Sequence, residues 1–242
     1  MTRPGAYLRQ PAPRTFRDRH DAGRALAELL RGYLSDYLSG VAGAQGVVVL
    51  GLARGGVPVA WEVAAALRVP LDVFLVRKLG VPQQPELAMG ALAGGQVVMN
   101  DEVVRSLGID DDEVQSVIER ETTELRRRER AYRGDRPAAD LRGRVVILVD
   151  DGIATGASVL AAVRAVQAAE PASIIVAVPV APRSASRKIA QEADDIVCVT
   201  TPDAFDAVGQ VYRDFDQTDD DEVRDLLAAP TTGRQRANRP SG

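Results

Sequence analysis

Residues 145–158 constrain the fold of this chain more than any other stretch. Val145-Val146-Ile147-Leu148-Val149 is an unbroken β-branched and aliphatic run that ends in Asp150-Asp151. Gly152-Ile153-Ala154-Thr155-Gly156 follows, and Ala157-Ser158 opens an Ala-rich segment of helical character. An apolar run without polar alternation reads as a strand buried on both faces, as in a parallel sheet. Ligands of open α/β sheets bind at the carboxyl ends of such strands. The loop offers free backbone N–H groups at the positive end of a helix dipole, a cradle for phosphate. A single acid at this position would cap a helix, but two adjacent acids do more than capping requires. They suit sugar hydroxyls or a hydrated Mg²⁺, a hard ion that prefers oxygen. A phosphate cradle beside a hydroxyl or metal clamp suits a phosphorylated sugar.

The rest of the chain alternates strands and helices. A helix is expected from about Asp18 to Tyr37, with Leu26, Leu29, Leu30, Tyr33, Leu34 and Tyr37 on one face. Gly40 to Gly46 reads as a linker, Val47–Leu50 as a buried strand and Val57–Leu67 as an apolar helix with Pro58 near its start. Leu71–Val76 is the next strand, and Gly94-Gly95 signals a hairpin between two short apolar runs. Residues 101–136 are charged and helical, with a narrow stripe of Val114, Val117, Ile118 and Leu125. Glu124 and Arg128 are spaced to pair on that helix. Arg126-Arg127-Arg128 sits among Glu119, Glu121, Glu124 and Glu129, so it reads as a solvated face. Strands at Ile174–Val178 and Ile196–Thr200 flank a helix from about Ser184 to Glu192. The expected architecture is α/β, a mostly parallel central sheet with helices on both faces and a helical insertion.

The stretch at 145–158 resembles the signature of the type I phosphoribosyltransferases, which bind 5-phosphoribosyl-1-pyrophosphate (PRPP). The resemblance extends over about residues 18–228, with residues 1–17 as a flexible arm and 229–242 as a disordered tail. It implies that Asp150 and Asp151 clamp the ribose hydroxyls and hold Mg²⁺, directly or through water. Ala154, Thr155, Gly156, Ala157 and Ser158 would bind the 5′-phosphate. Ala53-Arg54-Gly55-Gly56 follows the first core strand, where the family carries its pyrophosphate loop, often with a strained peptide. Glycines permit close backbone approach, and arginine adds a fork of donors for phosphate oxygens. Arg54, Gly55, Gly56 and Lys78 would then bind pyrophosphate. Arg77-Lys78, at the end of the second apolar strand, would aid departure of the leaving group as catalytic residues beside the acid pair. Gly80 to Gly95 resembles the family's mobile catalytic loop, which excludes water when closed.

One departure from the family bears on the acceptor. Phosphoribosyltransferases that salvage 6-oxopurines carry an Asp three residues past the acid pair, where this chain has Ala154. A family hood over the acceptor would fall at 201–215, where Phe205, Tyr212 and Phe215 could stack on a base. The same rings suit core packing of the last elements.

The resemblance implies a phosphoribosyltransferase that uses PRPP, Mg²⁺ and an unidentified nitrogenous acceptor. A non-catalytic PRPP- or nucleotide-binding regulator is the alternative. Gly51–Gly56 lacks the G-x-G-x-x-G spacing of dinucleotide oxidoreductases. A net charge of −4 gives no support to nucleic-acid binding. The single cysteine, Cys198, rules out an internal disulfide and fits a reducing cytoplasm, and it reads as a small buried hydrophobe. The single histidine, His20, has no partner at metal-ligand spacing. No apolar run approaches the ~20 residues a membrane span needs, and no signal peptide is legible. The stretch 101–136 is a candidate surface for self-association.

Overall fold

The computed structural model describes residues 14–35 and 46–231. Tyr37, most of the expected arm and linker, and the tail past 231 lie outside them. Five apolar strands build one parallel sheet in the order β2-β1-β6-β7-β8. They are β1 (Val47–Leu52), β2 (Leu71–Phe74), β6 (Val145–Val149), β7 (Ser173–Val180) and β8 (Asp195–Thr200). β1 and β6 run side by side, from Val47 opposite Val145 to Gly51 opposite Val149. Both faces are covered, which is why these strands lack polar alternation.

On one face Val47, Val49, Val145, Ile147 and Val149 pack under α1 (Arg19–Tyr33) and α2 (Gly56–Leu67). Asp18 caps α1 through a bond from the Asp21 N–H, so the helix starts one residue inside its expected bound. Leu26, Leu30 and Leu34 are fully buried on its expected face. On the other face Val48, Leu50, Val146 and Leu148 pack under α5 (Ala157–Gln167) and α6 (Arg183–Ile189). Cys198 is buried there, as expected, and burial pushes its thiol up to about 12.

Chain direction places the site. From β1 the chain moves outward to β2, and it returns to β6 on the other side before moving out to β7 and β8. The loops after β1 and β6 therefore leave the sheet side by side, at its topological switch point.

Three expectations need correction. The apolar run at 71–76 is two strands, not one. The chain leaves the parallel sheet at Leu75, and β3 (Val76–Val81) joins β4 (Gln84–Ala93) and β5 (Gln96–Met99) in an antiparallel sheet. A pattern of apolar residues marks burial but not which sheet is buried. Residues 80–95 are consequently not a loop but most of an antiparallel hairpin pair. Its second turn is at Gly94-Gly95, both at positive φ as a two-residue hairpin demands. Finally, Phe16 does not belong to a flexible arm. It is fully buried, and its backbone N–H donates to the Val211 carbonyl at 2.7 Å.

The insertion is helical, as expected: α3 (Asp101–Leu107) and α4 (Asp111–Arg133), the second opened by an Asp110/Glu113 capping box. Val117 and Leu125 are buried in a third core beneath β3, together with Val223 and Leu227 of α7 (Asp220–Ala228). The apolar stripe of the insertion is thus covered by the chain itself. Glu124 accepts from Arg127 and Arg128, both at 2.7 Å, which holds its carboxyl down at about 2. Glu121, expected on the same solvated face, is instead buried. Among the described residues no helix is long and apolar enough to cross a membrane.

Candidate active site

The loop after β1 and the loop after β6 touch. A Cβ built on Gly55 would stand 2.1 Å from Asp151 Oδ2, and one on Gly56 would stand 2.7 Å from the Val149 carbonyl oxygen. Only glycine lets the two strand ends approach this closely. The peptide between Ala53 and Arg54 is cis. The backbone N–H of Ala53 donates to the Phe74 carbonyl at 3.1 Å, which anchors the loop to the end of β2. Arg54 leans toward α7, its Nη1 3.5 Å from Asp220 Oδ1, and Asp220 also accepts from the Tyr132 hydroxyl at 2.6 Å.

Asp150 and Asp151 follow β6 directly. The Asp151 N–H donates to Asp150 Oδ1 at 2.9 Å, and Arg19 Nε donates to Asp151 Oδ2 at 2.9 Å. Burial pushes the Asp150 carboxyl well above the usual carboxylate range, and the charge of Asp151 adds to the push. Burial also raises Asp151, against the opposing pull of Arg19. Beyond them Ile153 is buried and anchors the loop, while Ala154, Thr155, Ala157 and Ser158 are exposed. Gly156 takes a positive φ of 86° as the N-cap of α5, where no side chain caps the helix. Its nearest approach is Thr155 Oγ1, 3.5 Å from the Ala157 nitrogen. The helix start therefore presents backbone donors to whatever the loop holds.

The raised Asp150 carboxyl has a measurable consequence for stability. The folded chain keeps this proton to a higher pH than the unfolded chain, whose ordinary value is 3.8. Stability falls as pH rises from that value through the raised folded one, and the cost is complete above it. Asp150→Asn keeps the acceptor for the Asp151 N–H and removes the charge. Its melting temperature at neutral pH should rise by roughly 2–4 °C per kcal/mol relieved. The gain should vanish below about pH 4, where the carboxyl is neutral in both states. A lower melting temperature at neutral pH would refute the buried-charge reading.

The structure brings Gly55 and Gly56 to Asp150 and Asp151, with the Arg54 side chain turned toward Asp220, but it puts Arg77 and Lys78 elsewhere than expected. Both lie on β3 of the antiparallel sheet, not at the end of a parallel strand. Arg77 is paired with the buried Glu121, with Nε 2.9 Å from Oε2. Together with Lys78, Pro82, Pro85 and Arg120 they line a cleft of about 320 Å³. Of the two readings open for the aromatic residues at 201–215, the contacts fit core packing. Tyr212 is buried, its hydroxyl donates to the Asp151 carbonyl at 2.6 Å, and its ring stacks on Phe215 at 4.8 Å. Burial pushes the Tyr212 hydroxyl far up. The Phe215 ring also carries Arg19, whose guanidinium carbon is 4.0 Å from the ring centroid. These two rings support the acid pair from within the fold. Phe205 is half-buried against the same core. His20 bonds Glu62 at 3.0 Å and takes no part in the site.

Comparison with known proteins agrees with this geometry. The family model of the phosphoribosyl transferase domain matches residues 18–216. The chain belongs to the phosphoribosyltransferase family. Two Mycobacterium tuberculosis proteins, from strains CDC 1551 and H37Rv, carry provisional names as phosphoribosyl transferases. Each is 50% identical over 209 residues, which covers 86% of this chain and 45% of the relative. The chain thus spans about half the length of these curated relatives. The crystal structure of TT1426 from Thermus thermophilus is 42% identical, with a TM-score of 0.74, over 88% of this chain and 97% of that one. Family membership explains why a parallel sheet, an acid pair and a glycine-bounded loop occur together here.

Sequence reading missed four residues around the site: Arg19, Glu121, Tyr132 and Asp220. Each reaches its partner from a distant segment, as Arg19 reaches Asp151 across 132 positions. Local spacing carries no signal for such pairs.

Proposed function

We propose that this chain transfers a 5-phosphoribosyl group from PRPP to a nitrogenous acceptor and releases pyrophosphate. One observation carries the reading: the glycine pair at 55–56 is pressed against the acid pair at 150–151, with the uncapped start of α5 beyond them. In this reading Asp150 and Asp151 hold the ribose hydroxyls. Backbone donors of Gly156, Ala157 and Ser158, with the Thr155 hydroxyl, hold the 5′-phosphate. Gly55 and Gly56 admit the pyrophosphate close to the backbone, and Arg54 meets its negative charge.

Departure of pyrophosphate leaves a cationic C1, so the protein contributes by neutralising the leaving group and by fixing the nucleophile's approach. Arg54 serves the first need from the loop itself. Lys78 would join it from β3, the strand that follows β2, while Arg77 stays paired with Glu121. Mg²⁺ fits a site of two carboxylates beside a phosphate ligand, because it binds through one or two carboxylates plus substrate phosphates. Asp150 and Asp151 would hold the ion together with oxygens of the phosphoribosyl donor. Bound there, Mg²⁺ would supply charge neutralisation at the pyrophosphate. Ala154 in place of an acid leaves the loop without a partner for a 6-oxopurine, which favours another acceptor class.

The test is pyrophosphate release from PRPP and Mg²⁺ across a panel of bases and amines. Release that depends on one acceptor supports the transferase. PRPP binding without release from any member would assign the chain to the regulator class.

A further inference from the structure

Arg19 opens α1, and its side chain is only 12% exposed. Its guanidinium makes three contacts. Nε donates to Asp151 Oδ2 at 2.9 Å, Nη1 donates to the Asp216 carbonyl at 2.5 Å, and the group lies over the Phe215 ring. A Cβ on Gly55 would stand 3.2 Å from Nε, so Arg19 sits where the acid pair meets the loop at 53–56.

The two ends of the described chain hold Arg19 there. Besides Phe16 donating to Val211, Arg213 N–H donates to the Phe16 carbonyl and Asp214 N–H to the Arg17 carbonyl, both at 2.9 Å. The Phe16 and Tyr212 rings meet at 5.6 Å, and the Tyr212 hydroxyl reaches the Asp151 carbonyl. Segments 16–19 and 211–216 thus form one brace. It grips Asp151 at its backbone through Tyr212 and at its carboxylate through Arg19.

We propose that Arg19 is a positioning residue for the sugar: by occupying Oδ2 of Asp151 it fixes Oδ1 as the oxygen that meets a ribose hydroxyl. The inference rests on the reading of the acid pair as the ribose clamp. A free aspartate rotates broadly about χ2 and presents either oxygen. An arginine fork removes that freedom, because its donors leave a rigid plane in fixed directions. Lysine keeps the charge but not the fork. Arg19 acts through Asp151 and so affects only ligands that contain the sugar. Pyrophosphate in the absence of Mg²⁺ does not touch the acid pair in this scheme.

The experiment is calorimetric titration of PRPP and ribose 5-phosphate with Mg²⁺, and of pyrophosphate without it, into the wild-type protein, Arg19→Met and Arg19→Lys, with melting temperatures alongside. Arg19→Met should lose at least about tenfold in affinity for both sugar ligands, the scale of one charge-assisted hydrogen bond. Pyrophosphate affinity should stay within about twofold, and Arg19→Lys should fall between wild type and Arg19→Met. Should Arg19→Met fail to fold, Phe215→Leu, which removes the ring beneath the guanidinium, carries the same comparison with a smaller selective loss. Equal loss for all three ligands would mark Arg19 as merely structural, and unchanged sugar affinity would also overturn the proposal. Wild-type protein that binds pyrophosphate but neither sugar ligand would instead overturn the donor-site reading beneath it.

Discussion

Gly55→Ala should cost at least about a hundredfold in PRPP affinity, because the new methyl group falls on the acid pair and two charge-assisted contacts are at stake. Gly55 sits at φ −59° and ψ −30°, a backbone conformation that alanine adopts freely. The effect is therefore steric. The added Cβ would stand 2.1 Å from Oδ2 and 2.8 Å from Cγ of Asp151. Either Asp151 leaves Arg19 or the loop at 53–56 withdraws, and both movements dismantle the donor site. Gly32→Ala is the control: a Cβ there meets nothing within 4 Å, inside α1. It should leave binding unchanged and stabilise the helix by roughly 0.5–1 kcal/mol. Titration of both variants with PRPP decides the matter, and wild-type affinity in Gly55→Ala would show that the two loops do not share one ligand.

The largest loss of stability should follow Arg133→Met. Arg133, the last residue of α4, donates to the buried Asp72 on β2, with Nε 2.9 Å from Oδ1. Side-chain exposures are 11% and 12%, so solvent cannot replace the lost cation. Among the described residues Asp72 would keep the Val73 and Ala139 N–H groups. Removing one partner of a buried pair costs roughly 3–5 kcal/mol. At roughly 2–4 °C per kcal/mol the melting temperature should drop by about 6–20 °C. A drop under about 2 °C would mean that the insertion is held by its apolar stripe alone. Tyr132→Phe, which removes only the exposed-side bond to Asp220, should cost roughly 0.5–1.5 kcal/mol.

What was legible in the sequence is what short-range pattern encodes. Val145–Val149 had to be a doubly covered strand, and Asp150-Asp151 at its end had to face a crevice. Gly94-Gly95 announced its hairpin, and Val117 and Leu125 announced the buried side of α4. The failures share a cause. Leu71 to Val76 is apolar throughout apart from Asp72, so nothing local marks the break at Leu75 where the chain changes sheets. Arg77 was placed at the crevice because its strand was assigned to the wrong sheet, and Glu121, its partner, looked like one more solvated acid. Phe16 and Arg19 lie in or beside a Pro- and Arg-rich segment whose composition suggested an arm. Their partners at 211–216 come from the other end of the chain. For Tyr212 and Phe215 a hood and core packing stayed equally open, because aromatics near a chain end fit either a ligand or a core, and only tertiary contact separates the two.

The central claim is that Asp150 and Asp151 hold the sugar of PRPP, and it is tested most directly by calorimetric titration of PRPP with Mg²⁺ into wild type and the Asp150→Asn/Asp151→Asn double variant. Two charge-assisted contacts at roughly 1.5–3 kcal/mol each predict a loss of at least about a hundredfold, in a protein that stays folded. Equal affinity in the two proteins would contradict the account.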